Sequence, residues 1–220
     1  MSRKNLLCLL PLVSVAVICA CAKPTLRDEI ALENLNLGLQ MGAAVDEHKA
    51  RSVLESFGGR VDKYDQTQSV EGEPSLQVYC VADTVDVCLL IGCDGTLSGV
   101  AVIPVYEITS DLAPGLTDVT WDKFKREIVT AARSEEVQRL GLLTERGVGL
   151  GSPRVDIIME YDQPDDEWSL SGATFMAYGD EETSLRFMLL NNVVATIQVG
   201  NRGLYRSVYS GFPSPVMARG

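Results

Sequence analysis

The stretch that decides the fold reads Val148-Gly149-Leu150-Gly151-Ser152-Pro153-Arg154-Val155-Asp156-Ile157-Ile158-Met159-Glu160-Tyr161. Its glycines indicate a turn, after which Ser152 is suited to cap a helix whose first helical residue is Pro153. Val155, Ile158 and Met159 recur at i, i+3 and i+4, which is the spacing of one apolar helical stripe. We therefore expect a short amphipathic helix that ends with the quoted stretch.

Three strands are predicted to follow this helix. They span 169–178, 183–190 and 193–199, and apolar residues recur at alternate positions in the last two. Asn191-Asn192 separates those two strands, and asparagine tolerates the positive φ of a tight hairpin. The second half of the chain therefore predicts a helix followed by an antiparallel meander.

The first half repeats this order of elements. A helix is predicted over 46–56, and strands over 76–82, 85–92 and 97–105. Asp94-Gly95 joins the last two strands and is a strong hairpin signal. Because the apolar patterns of the two halves can be superimposed, we expect a tandem repeat.

Each half also has a longer predicted helix in front. These helices cover 26–39 and 121–140, the second with Thr120 as its N-cap. The fold expected is α+β, with two tandem units that each pack two helices on one face of a three- to four-stranded antiparallel β-meander. The predicted boundaries are 21–106 for the first unit, 107–117 for a linker, 118–203 for the second unit and 204–220 for a C-terminal tail.

Residues 1–20 have the pattern of a bacterial secretion signal, with Arg3 and Lys4 ahead of an apolar run. That run is too short for a membrane-spanning helix, which needs about 20 apolar residues. Ile18-Cys19-Ala20-Cys21 resembles the lipobox of bacterial lipoproteins, which implies that Cys21 carries the lipid and begins the exported chain. The alternative frame places Cys19 at that position, but Ile18 is a poor residue to precede the cut.

Composition narrows the classes of ligand. Removal of 1–20 leaves 17 basic residues against 30 acidic ones, a net charge of −13, which disfavours binding to nucleic acid or to anionic lipid headgroups. Besides the lipidated cysteine, the exported part contains Cys80, Cys88 and Cys93. A disulfide between Cys80 and Cys88 would join neighbouring strands, with Cys93 as the alternative partner for either. With His48 as the sole histidine and no Cys-x-x-Cys pair, we expect no metal site and no cofactor.

The pattern resembles a known family. A glycine before an apolar helix, an aromatic residue at its end and a meander after it are similar to the SmpA/OmlA (BamE) group of outer-membrane lipoproteins. The β-lactamase inhibitory protein family has two such units in tandem. In the second half the resemblance runs over 149–161, Pro164-Asp165 and 185–199. In the first half it runs from 39–42 through Phe57-Gly58 to Asp62, and there Arg60-Val61-Asp62 replaces the Pro-Asp pair.

The resemblance implies a non-catalytic binding or assembly module, lipid-anchored at the outer membrane, facing the periplasm and acting on an envelope protein. Trp121 and Trp168 are the candidates for partner contact, provided that they are exposed. His48 has no accompanying nucleophile motif, and the acidic turns at 165–167 and 180–182 lack the spacing of a calcium loop. Two alternatives remain open: an envelope enzyme or inhibitor that acts on glycan or peptide through paired carboxylates, and a surface-exposed lipoprotein that contacts a host.

Overall fold

The computed structural model describes residues 25–58, 60–66, 76–82, 85–104, 118–170, 172–180 and 183–200. Helices and strands alternate in groups along this part of the chain. The helices are α1 (Leu26–Leu32), α2 (Glu47–Glu55), α3 (Asp118–Ala132), α4 (Glu135–Arg139) and α5 (Arg154–Tyr161). The strands are β1 (Val61–Gln66), β2 (Leu76–Ala82), β3 (Val85–Gly92), β4 (Leu97–Pro104), β5 (Asp166–Leu170), β6 (Ala173–Gly179), β7 (Ser184–Leu190) and β8 (Val193–Gly200).

The eight strands form one antiparallel sheet in the order β1-β2-β3-β4-β8-β7-β6-β5. The first four strands, β1 to β4, thus lie side by side in chain order. The last four continue the sheet in reverse chain order, from β8 to β5. The two groups meet where β4 pairs with β8, with Val100 opposite Val199 and Val102 opposite Ile197. The fold is α+β with an antiparallel sheet, as predicted.

The strand predictions are accurate where hydrophobic alternation and turn residues agree. The predicted hairpin at Asn191-Asn192 is confirmed, with φ values of +53° and +60°. In the second half, however, the single strand predicted over 169–178 is two strands, β5 and β6, because a turn at Gly172 divides it. β1 has no counterpart in the sequence-based prediction.

Apolar side chains cover both faces of the sheet, which corrects the expectation that the helices lie on one face. The larger core contains Phe187 and Leu189 of β7, whereas Leu190 belongs to a second cluster. Since successive residues of a strand point to opposite faces, these clusters lie on opposite sides of the sheet. The second cluster is formed with Phe124 and Ile128 of α3, so α3 packs on the face opposite the main core, which only its last residue, Ala132, joins among the buried residues described.

The predicted helix over 26–39 is wrong in its length. α1 ends at Leu32 because the Glu33 carboxylate accepts the backbone N–H groups of the next two residues, and Leu35 and Asn36 then adopt positive φ values. These conformations are incompatible with a continuing α-helix. α1 contacts β6 and β7, so this helix from the first half of the chain packs against strands of the second half.

The predicted helix over 121–140 is two helices. The chain breaks after Ala132, and Ser134 caps α4 by accepting the backbone N–H of Val137. Thr120 lies inside α3 and is not its N-cap. Gly151 (φ +81°) lies close to this break: a Cβ built on it would be 2.6 Å from the carbonyl oxygen of Ala132.

α5 is found where it was predicted, but its cap and its buried face differ from the prediction. Pro153 occupies the N-cap position without a side-chain cap, and the Ser152 hydroxyl accepts the N–H of Gly149. The predicted stripe is largely on the outside, with Val155 56% and Met159 75% exposed. The buried side chains of α5 are Ile157 and Tyr161.

Candidate functional site

Strand β5 carries the more exposed of the two tryptophans that were chosen from the sequence. Trp168 lies opposite Phe175 of β6, and their rings stack in parallel with centroids 5.1 Å apart. Trp168 remains 37% exposed, and Leu170, two residues further on the same face, 38%. An aromatic pair of this kind retains a large apolar area in contact with solvent.

Trp121 lies in the first half of α3 and is half-buried. Its ring stacks on Phe124 at 5.3 Å, and the Lys125 ammonium lies 5.9 Å from its centre. A Cβ built on Gly172, in the β5–β6 turn, would lie 3.8 Å from the indole nitrogen of Trp121 and 3.2 Å from the Lys125 ammonium. α3 therefore packs against the turn that follows β5.

The two tryptophans flank the same hairpin on the same face of the sheet. Trp121 and Phe175 both pack against the cluster built around Phe124, and Phe175 carries the stacked ring of Trp168. We call Trp121, Trp168, Leu170 and Phe175 the aromatic surface. The sequence indicated the two tryptophans but missed Phe175 and Leu170, because the turn at Gly172 that pairs β5 with β6 was not recognised.

Charged groups surround the aromatic surface on the strand and on the helix. Lys125 forms an ion pair with Asp122 at 2.7 Å, and the hydrogen bond from Lys125 holds the pKa of Asp122 below its usual value. On the other face of β5, Arg154 donates to both carboxylate oxygens of Glu167 at 2.8 and 3.0 Å. Asp166 is exposed on the same face as Trp168. The rim is thus polar, as is common around protein-binding surfaces.

A buried carboxylate joins the two halves of the chain. Glu33 is 2% exposed and accepts the backbone N–H groups of Asn34, Leu35 and Glu145 at 3.0, 2.9 and 2.7 Å. Burial raises the pKa of Glu33 in spite of these three bonds. The neighbouring Tyr161 has its pKa raised to about 12, again by burial.

A second desolvated carboxyl lies on β3. Burial raises the pKa of Asp86 to about 6, partly offset by a hydrogen bond from the Cys88 thiol at 3.5 Å. Asp86 points away from the main core, because Val85 and Val87 on either side of it belong to that core. Glu33 lies between Ile30 and Leu35, which are both part of the main core, so the two carboxyls are on opposite faces of the sheet. The paired-carboxylate alternative requires two convergent acids of this kind.

An open depression of about 530 Å³ lies beside α2 and β1. Arg51, Arg60 and Lys63 line it, and each forms an ion pair with a carboxylate: Arg51 and Lys63 with Glu47, and Arg60 with Asp62. Its basic groups are therefore largely neutralised.

The cysteines selected from the sequence lie in different environments. Cys80 and Cys88 are direct Cα partners across β2 and β3, which is the relation that the predicted disulfide needs. The side chain of Cys80 is outside the described part, so the disulfide stays a prediction. Cys93 is exposed in the turn after β3. Cys21 lies outside the described residues.

The remaining candidates occupy surface positions. His48 is exposed on α2. The acidic turn predicted at 165–167 instead leads into β5, which begins at Asp166, and its three side chains are exposed; of the other predicted acidic turn, 180–182, only Asp180 is among the described residues. Residues 25–58, 60–66, 76–82, 85–104, 118–170, 172–180 and 183–200 contain no group of three or more His, Cys, Asp or Glu side chains arranged to hold a metal ion. Over the same ranges no helix has the length and apolarity needed to span a membrane.

The chain was compared with protein families, curated proteins and solved structures. No family model matches the chain, and no curated protein matches it. Among solved structures, the chain is similar to a DUF4309 family protein, YjgB of Bacillus subtilis, at 9% identity and a TM-score of 0.41, over 79% of this chain and 90% of that one.

Proposed function

We propose that this chain is a lipid-anchored, non-catalytic lipoprotein of the bacterial envelope that binds a protein partner or serves an outer-membrane assembly. In this proposal residues 1–20 are removed and Cys21 carries the lipid, which holds the protein at the outer membrane on the periplasmic side. Net charge gives little attraction to anionic headgroups, so contact with the membrane would run through the lipid.

The observation that carries the proposal is the aromatic surface. Monomeric proteins expose single apolar side chains routinely, but a stacked pair of aromatic rings beside a second tryptophan is the composition of a binding hot spot. Trp168 and Leu170 are each exposed by more than a third of their area. A polar rim, which includes Asp166 and the ion pair of Lys125 with Asp122, completes the arrangement that interfaces commonly have.

The same proposal includes two tandem units, 21–106 and 118–203, joined by the linker 107–117. The strand order supports it, because β1 to β4 and β5 to β8 each form a meander and the two meanders meet at their last strands. Each meander also follows a short helix, α2 or α5. Most of the linker and the tail, 204–220, lie outside the described residues.

The anchor is tested first by the intact mass of detergent-extracted protein. We expect a chain that begins at Cys21 and carries the mass of its acyl groups, whereas the Cys21→Ala variant stays unprocessed and unlipidated. A native protein cut elsewhere, or one without lipid, would contradict the anchor.

Partner binding is tested by pull-down from solubilised envelopes. We expect the wild type to recover one protein in stoichiometric amount, and a Trp168→Ala, Leu170→Ala double variant to lose it. Met159→Ala is the matched control, because Met159 is equally apolar and more exposed but lies on α5, away from the aromatic surface. Equal recovery by all three proteins would exclude the aromatic surface as the binding site.

A further inference from the structure

Strand β5 is the outermost strand of the sheet beside the aromatic surface. It pairs with β6 alone among the described strands, and all five of its residues are exposed. The outward N–H and C=O groups of an edge strand form a ready template for another extended segment. Trp168, at the centre of this strand, would lie beside any segment that pairs there.

The opposite edge of the sheet is protected in a way that β5 is not. β1 carries Lys63, whose ammonium bonds to Glu47 of α2 at 3.4 Å and lies 5.4 Å over the ring of Tyr79. Lysine on an edge strand discourages pairing with another chain, and α2 packs directly against β1. β5 contains neither lysine nor proline.

The side chains of β5 define what a paired segment would need. Asp166, Trp168 and Leu170 point to the face of the aromatic surface, whereas Glu167 and Ser169 point to the other face, where Arg154 already neutralises Glu167. Residues directly opposite on neighbouring strands contact each other. On an added segment, the positions that face Leu170 and Trp168 therefore favour apolar side chains. The position that faces Asp166 favours a basic side chain.

We propose that β5 binds an extended peptide segment of the partner protein by adding it as a ninth strand to the sheet. The segment has the alternating pattern apolar-x-apolar-x-Lys/Arg when antiparallel to β5, and the reverse pattern when parallel. A second copy of this chain is a poor occupant, because two copies that each carry a net charge of −13 after removal of 1–20 would repel each other and the second copy's own β5 is acidic. This inference rests on the proposed function.

The test uses the full chain in detergent and a displayed library of linear nine-residue peptides. Selected peptides are synthesised, their affinities are measured by fluorescence polarisation, and the amide hydrogen exchange of 166–170 is followed with and without peptide. Light scattering of the protein alone establishes its oligomeric state. The variants are Asp166→Lys, Trp168→Ala and, as a charge-matched control on exposed α4, Glu136→Lys.

We expect enriched peptides to show the alternating pattern and to protect the amides of 166–170. Asp166→Lys should weaken them by tenfold or more, whereas Glu136→Lys should change affinity by less than twofold. Peptides that need Trp168 but leave those amides unprotected would overturn strand addition and leave the proposed binding surface standing. Absence of any peptide that depends on Trp168 or Asp166 would overturn both, and a dimer that protects 166–170 would assign the edge to a second copy.

Discussion

Replacement of Glu33 tests whether one buried carboxylate holds the two halves of the chain together. Its oxygens accept three backbone N–H groups, and the one from Glu145 lies 112 residues away in sequence. In Glu33→Gln an NH₂ group replaces one carboxylate oxygen. At least one of the three backbone N–H groups then faces another donor and loses its hydrogen bond. An unpaired buried donor costs about 1–3 kcal/mol, which for a chain of this size lowers Tm by roughly 2–4 °C per kcal/mol.

Glu33→Ala removes both oxygens and leaves all three amides without the carboxylate. We expect a loss of roughly 3–6 kcal/mol, since solvent would reach part of the vacated site. Equilibrium urea unfolding and thermal melts measure both variants. Glu55→Gln, at the exposed end of α2, is the control and should stay within about 0.5 kcal/mol of wild type.

The pH dependence gives an independent check on Glu33. Because burial raises its pKa in the folded state above the ordinary 4.5, the unfolded chain releases this proton first as pH rises. The stability that wild type gains from the protonated carboxyl is present below about pH 4.5 and is lost as pH rises through the folded pKa. The advantage of wild type over Glu33→Gln should therefore shrink with rising pH. Variants as stable as the control at every pH would refute this role of Glu33.

Three further results are expected. Trp168→Ala should abolish partner capture while the protein keeps a cooperative thermal melt, with about 0.5–1.5 kcal/mol of aromatic stacking lost in addition to the apolar contact of the buried part of the ring; loss of the cooperative melt would assign Trp168 to the core instead. Under denaturing, non-reducing conditions Cys80 and Cys88 should resist iodoacetamide until a reductant is added, and immediate alkylation of both in mass spectra would exclude the disulfide. Gly151→Ala should destabilise by at least twice the roughly 1 kcal/mol expected of Gly147→Ala, since both have positive φ but only the Cβ at 151 meets backbone; equal melting temperatures would contradict that contact.

Four of the strands, β3, β4, β7 and β8, could be predicted because each carries its information locally. β3 and β4 alternate apolar residues and are joined at Asp94-Gly95, and β7 and β8 are joined at Asn191-Asn192. The aromatic surface was predicted only in part, because its arrangement depends partly on contacts that are distant in sequence. That Trp121 abuts Gly172 depends on how α3 packs on the sheet, which no local pattern specifies. Trp168 lies beside Phe175 because of the local turn at Gly172, which was not recognised in the sequence.

Helix ends were missed where side chains bind backbone groups that lie outside the helix pattern. Apolar residues continue from Ile30 through Leu39 and would lie partly on one face of a helix, yet Glu33 stops α1 by accepting hydrogen bonds from the amides that follow it. The same carboxylate also binds Glu145, so the stop belongs to a tertiary contact. Helix propensities summed along the sequence cannot predict the Glu33–Glu145 contact, because it forms only when the two halves of the chain pack together.

The buried face of α5 could not be identified from hydrophobic periodicity alone. Apolar residues occur on two sides of this helix, so the stripe through Val155 and Met159 and the one through Ile157 and Tyr161 are equally regular. The choice is made at the helix ends, where Pro153 forms a β-bridge with Val193 and the Tyr161 ring packs 5.3 Å from that of Tyr178. These anchors turn Ile157 inward and leave Val155 and Met159 in solvent. A helix with apolar residues all round therefore needs its neighbours before its face can be assigned.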